Sequence, residues 1–128
     1  MGIEKIFYKK TLIGLRITDI QNGSVPLTDG KEPLQIVALK HPKGAYLKAH
    51  AHRPRKRVTA SLQECLFVRK GKVKLDLYGP DKKLFKNLFL KAGQIFLLMR
   101  GGIGIHILEN AELFEAKNGP FKEDKILL

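Results

Sequence analysis

The stretch Glu64–Tyr78 reads ECLFVRKGKVKLDLY, and its alternation decides the fold class. Glu64, Leu66 and Val68 fall on one side of an extended chain and Cys65 on the other. Beyond Gly71, Val73, Leu75 and Leu77 fall inward while Lys74, Asp76 and Tyr78 fall outward. A period of two on each side of the glycine predicts two strands, 64–70 and 72–78, each with one apolar face.

The same short alternation recurs outward from this stretch. Residues 12–17, 34–40, 45–51, 83–90, 94–99, 103–108 and 112–117 also read as strands. Between them stand turn signals at Asn22-Gly23, Asp29-Gly30, Pro42 to Gly44, Gly79-Pro80, Ala92-Gly93 and Gly101-Gly102. Nine short strands at this spacing predict an all-β sandwich or barrel. No segment carries a helical period, and no repeat points to a solenoid or propeller. The 128 residues suit one domain, and 44% hydrophobic against 28% charged residues is a balance that folds.

Twenty-four Lys and Arg against twelve Asp and Glu leave a formal charge of +12, which favours anionic partners. Most of this excess is lysine at alternating strand positions and reads as solvated surface. The cluster Arg53, Arg55, Lys56 and Arg57 is denser, and Pro54 ends the strand pattern before it, so it reads as a loop. Nucleic acid is disfavoured: aromatic residues are 8%, tryptophan is absent, and no basic stretch interleaves with stacking residues. Cys65 is alone, so no internal disulfide forms. No signal-peptide core and no apolar run of roughly 20 residues is present, so the expectation is a cytoplasmic protein with no membrane span.

Chemistry concentrates around AYLKAHAH. Tyr46, Lys48, His50 and His52 share one face of the predicted strand, so both imidazoles point the same way and suit one metal ion. Glu64 heads an apolar face, where a carboxylate is costly unless it meets a metal or a cation or stays at a solvated rim beside Arg57 or Lys48.

These residues resemble the cupin superfamily. Its first motif runs glycine, five residues, H-x-H, a spacer, glutamate, six residues, glycine; Gly44, His50, His52, Glu64 and Gly71 fall into those places, with a longer spacer than usual. HAHRPRKR, QECLFVRKGKV, AGQIFLL, GGIGIHILEN and FEAKNGP are similar, in order, to a group of small uncharacterised bacterial cupins. The resemblance implies a single cupin jelly-roll barrel over 34–121, a tail at 122–128, and N-terminal strands over 1–33 that pack on the barrel or form a homodimer interface. It also implies a metal site of His50, His52, Glu64 and a fourth ligand.

The second cupin motif departs from the pattern. Ile103 stands where the fourth ligand is expected, and His106 follows three residues later. In a straight strand Ile103, Ile105 and Ile107 share one face and His106 lies on the other; a bulge at Gly104 would bring His106 in. The candidate metal ligands are therefore His50, His52, Glu64 and His106, for Zn, Fe, Mn or Ni. Lys48, Arg57 and Tyr46 are candidate contacts for a small anionic ligand such as a sugar or keto acid. Two functions remain open: a metal-dependent cupin enzyme, and a non-catalytic, metal-free cupin that binds a ligand or partner.

Overall fold

The computed structural model describes residues 2–128, and the fold is all-β, with no helix among them. Eight strands form: β1 (Ile3–Tyr8), β2 (Thr11–Ile17), β3 (Gly23–Pro26), β4 (Val37–Lys40), β5 (Glu64–Tyr78), β6 (Leu84–Lys91), β7 (Ile95–Leu98) and β8 (Gly102–Lys117). Six of them make one antiparallel sheet in the order β1-β2-β7-β5-β6, with β8 on the other edge of β5; β3 and β4 form a separate ribbon. The large sheet curls strongly into a half-barrel.

The curl originates at one glycine. Gly71 has φ of +85°, and a Cβ there would run into the backbone carbonyl of Asn110 on β8. Only glycine tolerates both conditions. The two strands predicted at 64–70 and 72–78 are therefore one bent strand, and 103–108 and 112–117 likewise merge into β8. Register shifts between Val68 and Val73, across from residues 107–113, mark the bend. Before it, β5 lies between β7 and the second half of β8; after it, β5 lies between β6 and the first half of β8.

The apolar alternation of β5 fills the concave side. Leu66, Val68, Val73, Leu75 and Leu77 are buried there with Ile6, Ile13, Leu88, Leu90, Phe96 and Leu98. Each such side chain contributes roughly 1.5–3 kcal/mol of burial. A smaller cluster, Leu15, Ile17, Leu97 and Met99, covers the other side of β2 and β7. Segment 20–36 closes over it through Ile20, Leu27, Leu34 and Ile36.

Two strands, β1 and β3, fall outside the alternation pattern. The β1–β2 turn places Lys9 and Lys10 at φ of 48° and 70°, a conformation normally signalled by Asn-Gly, so no turn signal marks it. The strand predicted at 34–40 shortens to β4. Its early donors go to side chains instead: Leu34 N–H donates to Gln63 Oε1 and Ile36 N–H to Thr28 Oγ1.

The clearest correction concerns residues 45–51, which form no strand. Residues 41–63 have no regular structure, and every residue from 39 to 62 is exposed. The alternate apolar face here is Ala45, Leu47, Ala49 and Ala51, three of four of them alanine, which bury too little surface to hold a strand. Tyr46 Oη instead accepts from Ala49 N–H at 3.2 Å, a contact that curls the chain.

Candidate functional site

His50 and His52 lie on this exposed connection between β4 and β5. Their ring centroids are 5.1 Å apart, edge to face. His50 Nδ1 sits 3.0 Å from the Lys48 carbonyl oxygen, so a proton on Nδ1 would be held there and Nε2 left to accept. Tyr46 and Lys48 share the connection and are exposed. The Arg57 guanidinium reaches only the Arg55 carbonyl, at 3.5 Å.

Glu64 opens β5, opposite Leu98 of β7 and Lys117 of β8. Burial of its carboxyl, with Glu115 adding repulsion, raises its pKa above the ordinary carboxylate value; Lys117 and Lys125 oppose the rise. No ion pair joins it to Arg57 or Lys48 among the described residues. Register supplies what the linear sequence hides. Because Glu115 sits across from Leu66 and Lys117 across from Glu64, these three polar side chains share one face of the curled sheet. Lys117 Nζ is 2.9 Å from Glu115 Oε1, and that pairing raises the lysine pKa.

Ile103 and His106 take opposite faces. Ile103 lies across from the wholly buried Leu77 and packs partly buried on the core. His106 lies across from Lys74, half exposed, with Nε2 2.5 Å from Asp76 Oδ2. No register shift occurs at Gly104, which pairs with Asp76, so no bulge turns His106 inward.

A metal centre of His50, His52, Glu64 and His106 is not assembled. Among the described residues, no three of His, Cys, Asp or Glu gather as a group that could hold an ion. The donor set as placed does not fit the four-ligand centre, which requires all its atoms within about 2.3 Å of one point. Cys65 offers no substitute: it packs on the smaller cluster, and burial raises its thiol pKa, keeping it protonated.

Gln63 organises the end of the connection. Wholly buried, it donates from Nε2 to Glu32 Oε2 at 2.7 Å and to the Met99 carbonyl at 3.4 Å, and its Oε1 accepts from Leu34. Its backbone N–H donates to Asn118 Oδ1, while Asn118 Nδ2 donates to Thr59 Oγ1 and the Ser61 carbonyl. Residues 59–63 are thus tied down, and the segment before them carries the charge. From 33 to 63 no Asp or Glu occurs, while Lys40, Lys43, Lys48, Arg53, Arg55, Lys56 and Arg57 all do.

Among the described residues, no helix is long and apolar enough to cross a membrane. No protein-family model, no curated protein and no solved structure matches the chain.

Proposed function

We propose that this chain is a cupin-like jelly-roll module that binds an anionic molecule through its basic connection, without catalysis at a metal. The observation that carries the reading is the acid-free, exposed run from Lys40 to Arg57. Unpaired cations on a segment free of carboxylates keep their full attraction for a phosphate or carboxylate. Arginine adds a planar fork that matches either group bidentately. Two long strands that bend together, with β5 changing its neighbour from β7 to β6 across the bend, support the jelly-roll reading. Thermal shift with sugar phosphates and nucleoside diphosphates, with and without EDTA, tests it. Stabilisation that survives chelation is expected; stabilisation by divalent ions alone overturns it.

A second reading, a metal-dependent enzyme acting on a small anionic metabolite, is favoured by the Glu64 carboxyl, whose raised pKa a bound cation would relieve. Elemental analysis of tag-free protein from metal-supplemented cells tests it. An ion near one per chain supports this reading, and a stoichiometry near zero removes it.

A further inference from the structure

We propose that the seam between β2 and β6 holds a separate anion site, which takes a single phosphate group on Arg16, Lys72, Lys91 and Gln94. It lies apart from the connection between β4 and β5, uses none of its cations, and stands or falls independently of it. A cavity of about 270 Å³ opens at the seam, lined by Arg16, Lys72, Phe89, Leu90, Lys91 and Gln94. Pockets that enclose larger ligands run to roughly 300–1,000 Å³, so this one suits a phosphate and is too small for a nucleoside diphosphate. Three of its six lining residues are cations and none is an acid.

The fold forces these charges together. Lys72 and Lys91 are direct partners in the β5–β6 register, and like charges facing each other across a ladder destabilise it. Neither lysine forms an ion pair among the described residues. Glu109 lies across from Lys72 on β8, but the ammonium leans toward β6, with Nζ 5.5 Å from the centre of the Phe89 ring. The third cation arrives from outside the ladder. β2 and β6 are not neighbours in the sheet, yet Arg16 Nη1 donates to the Phe89 carbonyl at 3.3 Å.

The donors suit an anion in kind as well as in charge. Arg16 Nη2 is paired with Glu4 at 2.7 Å, which fixes the guanidinium without using it up: its buried Nε has no hydrogen-bond partner among the described residues. Three cations against Glu4 leave two positive charges at the cavity. Gln94 Oε1 accepts from the Lys91 N–H at 3.1 Å, which leaves the Gln94 amide nitrogen as a donor. Two ammoniums, a guanidinium and an amide around one small cavity match the oxygens of a phosphate through charge-assisted hydrogen bonds. An anion held between Lys72 and Lys91 also relieves their repulsion.

Amide chemical shifts of the full, isotope-labelled chain are followed as inorganic phosphate is added, against sodium chloride of equal ionic strength. Saturable shifts at Lys72, Lys91 and Gln94 are expected with phosphate and not with chloride. The triple variant R53E/R55E/R57E should keep them, which separates this site from the connection. The double variant K72Q/K91Q should weaken phosphate binding by about tenfold or more. In the triple variant, a sugar monophosphate that binds shows that a phosphate carried on a larger molecule is accepted; one that does not bind restricts the site to the free ion. Shifts confined to residues 40–57, equal shifts with chloride, or phosphate binding retained by the double variant overturn the proposal. If that variant does not fold, the location of the shifts in the unaltered chain still decides.

Discussion

His106 Nε2 lies 2.5 Å from Asp76 Oδ2, on the side of the sheet opposite the face that Ile103 turns to the core. The pair holds β8 to β5 and leaves His106 no part in a site on the concave side. His106→Ala is therefore expected to cost under about 1 kcal/mol, the range of exposed pairs. It should leave any divalent-ion response unchanged. Paired chemical denaturation and ion titrations check both outcomes.

Glu64 gives a pH-dependent expectation. Its carboxyl is raised in the folded state, mainly by burial and then by Glu115. The folded chain then binds the proton more tightly than the unfolded chain, so the penalty is complete above the folded pKa. It is relieved as pH falls from there toward the unfolded value. Glu64→Gln should stabilise the protein at neutral pH, by under about 1 kcal/mol after solvent screening. The gain should vanish in mild acid. Thermal melts of both proteins over that pH range test the sign.

Gln63→Ala should be much more damaging. It deletes bonds to Glu32 and Met99 and leaves the Leu34 N–H unpaired in a part-buried setting. A loss of about 2–3 kcal/mol is expected, measured by urea denaturation. The 59–63 anchor should loosen with it, visible as faster amide exchange there.

Gly71→Ala tests the origin of the curl. Positive φ and the Asn110 carbonyl both oppose a side chain. A destabilisation of about 2 kcal/mol or more is expected, with loss of protection on both halves of β8.

Legibility in the sequence follows burial. The alternation of Leu66, Val68, Val73, Leu75 and Leu77 marked β5 because one face meets the core, and Leu88 and Leu90 mark β6 in the same way, whereas β7 is buried on both faces and β8 has no buried residue. Residues 45–51 alternate as cleanly, but alanines against lysine and histidine encode no burial. The pattern alone could not tell a held strand from an unheld one. The contrast of Ile103 and His106 was legible as parity; which parity holds depended on Gly104, whose straight pairing with Asp76 only the register reveals. Glu115 and Lys117 were not legible as neighbours of Glu64. They stand fifty residues away in sequence and meet it only through the β5–β8 register.

Anion binding in the presence of EDTA tests the central claim most directly. Titration calorimetry of the unaltered chain with a nucleoside diphosphate should show binding that weakens with added salt. The triple variant R53E/R55E/R57E should lose it while keeping its melting temperature. Binding that appears only when a divalent ion is supplied, or that the triple variant retains, would contradict the account.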